Sequence, residues 1–450
     1  MIELLRAAAE EAPHRVALAS AAGVTTYAEL VARAETAAAE LRARGVRRLA
    51  VLDPDHATVW ALLAACSLAQ VESCVYPVAA TEETVAELRE RLDHDLLATT
   101  RELPGPGLLC PDELWAGAER EDGPVPDGPR PLLVLTSGTT SGRPQAARHD
   151  WSRILRVALR IRPTPEQRWL LAYAPNQFAG LQMLLHVAAA RATLAAGRSF
   201  QPRDGLEAMR RFGVTHASGT PTFWRFLLAE LRTDGEPPPP LEQVTLGGEA
   251  VPSAVVEALR ATFSRARISQ LYAATEMGLS ISVRDGEVGL PLSVLDETDG
   301  EAELRILDGE LWVRSRSSML GYYGDEPVPD DGWRATGDLV EVVGDRIHFR
   351  GRATEVINVG GVKVHPLPIE ERVARVPGVA LAHAHGRPNA LVGQVVALDV
   401  VLGGGADADA VDAAIREEFA GDPPAHRPRS ITFVESIDTH GGKLLRGRTS

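Results

Sequence analysis

The sequence predicts an α/β protein: a large N-terminal domain of parallel-rich sheets flanked by helices, with a small β-subdomain, and a smaller C-terminal α+β domain. Three observations carry this. Strand and helix signals alternate as far as Ser280, the rhythm of parallel sheets covered by crossover helices. Short alternating segments separated by Asp-Gly and Gly-Asp pairs follow, as antiparallel hairpins require. From about Ala353 the pattern turns mixed, and the remaining stretch is the size of one compact domain.

In chain order, Thr26 opens a T-x-x-E capping box with Glu29, heading a helical pattern that runs to about Arg44. RRLAVLD reads as a strand, TVWALLAACSLAQ as a buried helix, CVYPV as a strand, EETVAELRERL as a helix and DLLATT as a strand. The stretch 104–131, rich in Pro, Gly and acid, reads as a solvent-exposed connector. PLLVL is then a strand, a Gly/Thr/Ser loop follows, and Asp150 caps a helix over WSRILRVALRI. RWLLAYA, VTHASG and QVTLGG read as strands, with helices over FAGLQMLLHVAAAR, TPTFWRFLLAEL and PSAVVEALRATF. DGEPPPP, 234–240, is a stiff surface linker. ELRIL, ELWVRS, LVEVVG and RIHFRG form the β-subdomain; VINVGGVKV, VALAHAHG and QVVALDVVL, with helices over IEERVARV and ADAVDAAIREEFA, form the C-terminal domain.

Composition narrows the function classes. The 450 residues allow two to four compact units, and 47 Lys and Arg against 61 Asp and Glu leave a net charge of −14. That field repels phosphate backbones and anionic lipid, so nucleic acid and membrane surfaces are not expected partners. An anionic ligand then needs local backbone donors, a few placed cations or a metal ion. Cys66, Cys74 and Cys110 lack metal or disulfide spacing and read as buried free thiols. MIELLRAAAEEAPHR has no basic n-region with an apolar h-region, and no apolar run reaches the ~18 residues of a membrane span. A cytoplasmic enzyme-sized protein is expected.

Five segments carry chemistry. LTSGTTSGRPQ, 135–145, follows an apolar strand; Gly138 and Gly142 let backbone amides approach a ligand and Ser137, Thr139, Thr140 and Ser141 add hydroxyls, a set suited to phosphate oxygens or simply to a turn. QLYAATEMG, 270–278, delivers Tyr272, Thr275 and Glu276; a carboxylate beside phosphates suits Mg²⁺, or the segment caps a strand. In WRATGDLVEV, Asp338 either accepts two ribose hydroxyls or closes a turn. RIHFRGRATEVINVGGVKVHP supplies Arg350, Arg352, Gly360, Gly361 and Lys363, and HGGKLLRGR supplies Lys443, which alone would read as a solvated surface lysine.

The order of these five segments resembles the adenylate-forming superfamily, in which acyl-CoA and aryl-CoA synthetases, luciferase and peptide-synthetase adenylation domains fall; the likeness covers nearly the whole chain and is most like a short acyl- or aryl-CoA ligase. The resemblance implies ATP, Mg²⁺ and coenzyme A as cofactors and co-substrates. It implies that Thr136, Ser137, Gly138, Thr139, Thr140, Ser141 and Gly142 embrace the ATP phosphates, Thr275 lies near the α-phosphate and Glu276 holds the metal. Asp338 and Arg352 would hold the ribose, and Gly247, Gly248 and Glu249, with Tyr272, would flank the adenine. Lys443 would bridge carboxylate and α-phosphate. Gly360, Gly361 and Lys363 would meet the pantetheine arm after rotation of a C-terminal domain, 353–450, against an N-terminal domain, 1–352, about a hinge at Thr354.

This chain departs from the pattern at Gln145, where the loop usually carries Lys, at Thr354, where the hinge is usually Asp or Lys, and at Ala273, usually Gly. Arg143 or Arg148 could replace the missing cation. The acyl pocket implied is Asn176, Gln177, Phe178, Gly180, Ser218, Thr220, Phe223, Ala273 and Met277, a lining that suits a small aromatic or polar acid. The expected activity is ATP-dependent activation of such an acid as acyl-AMP with pyrophosphate release, then transfer to coenzyme A. Two rivals remain: transfer to a separate carrier-protein thiol or an amine, and a nucleotide-binding pseudoenzyme.

Overall fold

The computed structural model describes residues 1–117, 119–136, 145–297, 300–326, 332–437, 439–440 and 443–444. Two parallel-rich sheets build the large N-terminal domain. One sheet runs in the order Gly321–Tyr322, Ala146–Asp150, Pro131–Leu135, Glu72–Val75, Arg48–Leu52, Leu96–Thr99, Leu108–Leu109. The other runs Leu279–Val283, Arg267–Ala274, Gln243–Gly247, His216–Gly219, Arg168–Leu171, Thr193–Ala195, Val16–Ser20, Gly23–Thr26. Central pairs are parallel, while Leu279–Val283 and Gly23–Thr26 close the edges of the second sheet antiparallel.

Helices Tyr27–Ala43, His56–Ala69 and Phe178–Ala190 fill the space between the sheets, and one apolar cluster takes in Val51 and Val134 from the first sheet with Leu18, Leu171 and Leu194 from the second. A helix enclosed on all sides must be apolar all round, and His56–Ala69 is buried from Ala57 to Leu68. Local chemistry fixes where helices start. Thr26 accepts the Glu29 amide at 3.2 Å while the Glu29 carboxylate accepts the Thr26 amide at 2.7 Å, the capping box expected from the sequence. Asp150 accepts the Ser152 amide at 2.8 Å and heads Trp151–Ala158.

The β-subdomain is an antiparallel sheet in the order Leu290–Pro291, Arg346–Arg352, Arg334–Val343, Glu310–Ser315, Ala302–Leu307. Its hairpin at Asp308 and Gly309 has both residues at positive φ, 50° and 78°, as a two-residue turn matched to strand twist demands. The smaller C-terminal domain packs Pro366–Val373 and Ala408–Glu418 against a sheet built from Ile357–Val359, Val362–Val364, Val379–Asn389, Gly393–Leu402 and Ser430–Phe433. No helix among the described residues is long and apolar enough to cross a membrane.

The structure adds elements that the sequence pattern hid. The connector 104–131 contains the strand Leu108–Leu109 and the helix Pro111–Trp115, and Cys110 at the head of that helix is exposed, unlike Cys66 and Cys74. Ala146–Asp150, expected as the end of a loop, is a strand paired antiparallel with Pro131–Leu135. Arg148 and Asp150 carry charges that a strand reading disfavours, yet backbone pairing on both sides, with Pro131–Leu135 and Gly321–Tyr322, imposes it.

Candidate active site

The carboxyl ends of parallel strands are where open α/β sheets hold ligands. Here the ends of Pro131–Leu135, Gln243–Gly247 and Arg267–Ala274 meet the β-subdomain strands Arg334–Val343 and Arg346–Arg352 around a cleft of about 2150 Å³. Thr136, Gly247, Gly248, Glu249, Tyr272, Thr275, Glu276, Asp338, Arg352 and Thr354 all border it.

Antiparallel register sets Asp338 opposite Arg352. The Arg352 Nε lies 3.3 Å from one Asp338 carboxylate oxygen, and the Tyr272 hydroxyl donates to the other at 2.7 Å. Burial raises the Asp338 pKa, with Arg352 and Tyr272 pulling the other way. Burial works against the Arg352 charge too, but Asp338 and Glu276 outweigh it and hold the guanidinium above its ordinary value. The Tyr272 hydroxyl is pushed well up by burial and by Asp338, so it stays a donor. Its ring stacks on Phe349 with centroids 5.0 Å apart. Gly337, at φ 76°, turns the chain just before Asp338.

Thr275 and Glu276 sit on the single 3₁₀ turn Thr275–Met277 at the end of Arg267–Ala274. Gly278 closes that turn at φ 70°, and a Cβ there would run into the Ser317 carbonyl oxygen, so glycine is required twice over. The Tyr322 hydroxyl donates to Glu276 Oε1 at 2.7 Å, orienting the carboxylate. Among the described residues no group of three His, Cys, Asp or Glu is gathered as an all-protein metal cage. One oriented carboxylate facing a phosphate-sized cleft fits Mg²⁺, which is held through few carboxylates plus substrate oxygens.

Gly248 at φ 85° presents Glu249, whose Oε2 accepts the Thr222 amide at 3.1 Å at the start of helix Pro221–Asp234. The neck of the Gly/Thr/Ser loop is closed by Thr136, whose amide and hydroxyl both donate to the Gln145 carbonyl at 2.8 and 3.3 Å. Ser137, Gly138, Thr139, Thr140, Ser141 and Gly142 lie outside the described residues, as does Arg143. Arg148 is already committed, its Nε 2.6 Å from buried Glu72, so it does not stand in for the loop cation.

Of the expected acyl-pocket residues, Asn176, Gln177, Phe178, Ser218, Ala273 and Met277 border the cleft. Gly180, Thr220 and Phe223 lie behind its wall. Gly180 lets helix Phe178–Ala190 press on the Ala174 carbonyl, Thr220 caps Pro221–Asp234 through the Phe223 amide at 3.0 Å, and Phe223 packs under Gly205 and Gly219. Phe178 stacks on His149 at 5.6 Å, and burial lowers the His149 pKa to about 3, leaving a neutral ring. Gly360 and Gly361, at φ 59° and 90°, make a tight exposed turn with Lys363 beyond it, away from the cleft. Lys443–Leu444 pairs with Thr439–His440 and lies beside Pro221–Asp234; the Lys443 side chain is outside the described residues. Residues not foreseen also border the cleft: Tyr322 from the edge of the first sheet, Arg334 and Phe349 from the β-subdomain, and His186, His216 and Gln243 from the second sheet and its covering helix. Arg334 and Phe349 belong to segments already singled out for Asp338 and Arg352, but nothing in their own residue types marked them as lining.

The AMP-binding enzyme family matches residues 5–323, and the AMP-binding enzyme C-terminal domain matches residues 368–443. A methyl-dioxo-octahydroindenyl propanoyl:CoA ligase of Mycobacterium tuberculosis is 29% identical over 339 residues, 70% of this chain and 64% of that protein. The medium/long-chain-fatty-acid (acyl-carrier-protein) ligase FadD10 of the same organism is 30% identical over 273 residues, 54% of this chain and 50% of that protein. The matches thus span half to just under two thirds of these relatives' lengths. The fold is that of the o-succinylbenzoate CoA synthetase of Bacillus subtilis solved with its acyl-adenylate intermediate, at TM-score 0.78 and 23% identity over 98% of this chain and 96% of that one. With a family match across most of its length and a second match over its C-terminal domain, this chain belongs to the AMP-binding enzymes.

Proposed function

We propose that the chain activates a small carboxylic acid, aromatic or polar, as acyl-AMP with release of pyrophosphate and then transfers the acyl group to coenzyme A. The observation that carries this reading is the convergence of Asp338, Arg352, Tyr272 and Glu276 on one cleft at the carboxyl ends of the strands. The acid's carboxylate oxygen attacks the α-phosphorus and the bond to pyrophosphate breaks; the thiol sulfur then attacks the acyl carbon, loses its proton and expels AMP. A carboxylate is a weak nucleophile, so the first step depends on in-line placement and on neutralising the phosphates.

In this reading Asp338 and Arg352 hold the ribose, Gly247 to Glu249 and Tyr272 flank the base, and Thr275 meets the α-phosphate. Glu276 would hold Mg²⁺, which neutralises phosphate charge, and Thr136 to Gly142 would wrap the phosphates. Lys443 serves adenylation. Domains 1–352 and 353–450 rotate about Thr354 to bring Gly360, Gly361 and Lys363 to the thiol's arm. An acidic chain whose three cysteines are free thiols, Cys66 and Cys74 buried and Cys110 exposed, suits a cytoplasmic location. The second acceptor, a separate carrier-protein thiol, is favoured by the kinship with a carrier-protein ligase.

The test is ATP- and Mg²⁺-dependent pyrophosphate release across a panel of acids, with and without coenzyme A, in the native chain and in Lys443→Ala. Turnover raised by coenzyme A with a thioester by mass supports the reading; release that only a carrier protein relieves selects the second acceptor. Lys443→Ala should cost adenylation roughly 100-fold or more, as loss of one preorganised charge-stabilising donor does, while preformed acyl-AMP still reacts with the thiol. Equal loss in both half-reactions would remove that role from Lys443, and no release with any acid would favour a nucleotide-binding protein without activity.

A further inference from the structure

Beyond the expected pocket residues, the cleft runs on beneath helix Phe178–Ala190, where the sheet turns an unusual face to it. Register aligns His216, Gln243 and Arg267 in one row across three strands, and Ser218, Thr245 and Ser269 in the next. All six border the cleft. The alternate residues, Ala217, Val244, Leu246 and Ile268, point the other way into an apolar cluster, so the polar character belongs to the cleft face alone. A sheet covered by helices on both faces ordinarily reads apolar on both.

The polar face is internally wired. Gln243 Nε2 donates to Ser269 at 2.7 Å and to Thr245 at 3.0 Å, and Arg267 Nε donates to Gln243 Oε1 at 2.7 Å. Among the described residues, His186 Nε2, on the covering helix, and Gln177 Oε1, at its start, are buried polar atoms of this region without a hydrogen-bond partner. The His186 ring stands edge-on to Trp169 at 4.7 Å, and Trp169 in turn lies 4.9 Å from His216, which sets His186 over the outer row. Orphaned buried polar atoms are costly and rare unless a ligand completes them. Among the described residues neither Arg267 nor Arg284, which also borders this end, forms an ion pair.

We propose that this end of the cleft receives the far end of the acyl group, and that the acid carries an oxygen there, as hydroxyl or carboxylate, bound by His186 Nε2. The inference rests on the activity proposed above. His186 stands eight helical rises beyond Phe178, about 12 Å at 1.5 Å each, so the acid is an elongated one of that order rather than a single small ring. A bare alkyl or aryl end would leave the polar rows and His186 unmatched.

The probes are phenylbutanoates bearing para-carboxylate, para-hydroxyl or para-methyl groups, with binding followed by calorimetry in the presence of a non-hydrolysable ATP analogue. An oxygen-ended acid should bind at least about 10-fold tighter than the methyl one, since a site built to hydrogen-bond discriminates against analogues that lack the group. In His186→Leu that ratio should fall to about one, His186→Gln should keep most of it, and affinity for the ATP analogue should not move. A carboxylate preferred over hydroxyl would add the guanidinium groups to the site; the reverse would leave His186 as the main contact. Equal or tighter binding of the methyl acid, a ratio that survives His186→Leu, or failure of all three to bind would overturn the proposal. Pyrophosphate release on the same acids reports separately on adenylation: oxygen-selective binding without release would sink the activity and spare the recognition.

Discussion

The two ends of the cleft are built on different plans. At the proposed nucleotide end, Tyr272, Thr275 and Glu276 come from nine consecutive residues, and Asp338 and Arg352 from two adjacent strands, so short contiguous segments carry nearly the whole constellation. At the proposed acyl end, each strand contributes only one or two side chains, brought into rows by register across separate strands. Chemistry shared by every substrate can be written into segments; recognition of one acid is spread over positions that can change singly.

Variants at each end can break this comparison. The largest effect is expected for Gly278→Ala, which places a Cβ against the Ser317 carbonyl and asks an alanine to hold φ 70°. It should cost about 3 kcal/mol of stability, read as a lowered denaturant midpoint, and displace Glu276 enough to lower adenylation. A variant of native stability would show that the turn is not braced as described. Next, Asp338→Ala removes the acceptor of both the Tyr272 and Arg352 contacts, 2.7 and 3.3 Å away. Loss of a charged acceptor of two hydroxyls predicts kcat/KM for ATP lowered roughly 100-fold. The order of preference among acids should stay the same; if it changes, the two ends are coupled and the comparison fails. Smallest is Thr26→Ala, which removes one arm of the capping box at the far side of the second sheet. It should cost about 1 kcal/mol of stability in chemical unfolding while leaving both substrates' KM untouched.

The same contrast explains what the sequence made legible. The alternation of strands and helices, the Thr26–Glu29 box and the Asp150 cap depend on neighbours in the chain, and they stand where the pattern put them. Ala146–Asp150 was hidden because its pairing partners, not its residues, make it a strand. The family resemblance assigns Thr220 and Phe223 to the pocket, but one caps a helix and the other fills space beneath two glycines. His186, His216 and Gln243 were visible as residues of expected elements. Nothing local distinguishes a polar residue facing a ligand from one facing water, and only the sheet's closure under helix Phe178–Ala190 makes the difference.

Arg352 has a second consequence. It is the last residue of its strand, its guanidinium meets Asp338, and its amide donates to Glu355 at 3.5 Å at the start of the turn Ala353–Glu355. The side chain proposed to grip the ribose and the backbone from which the C-terminal domain hangs thus belong to one residue. If the domains rotate about Thr354 as proposed, a ligand that redistributes the partners of Asp338 would act two residues from that joint, and occupancy and posture would share a single mechanical fulcrum.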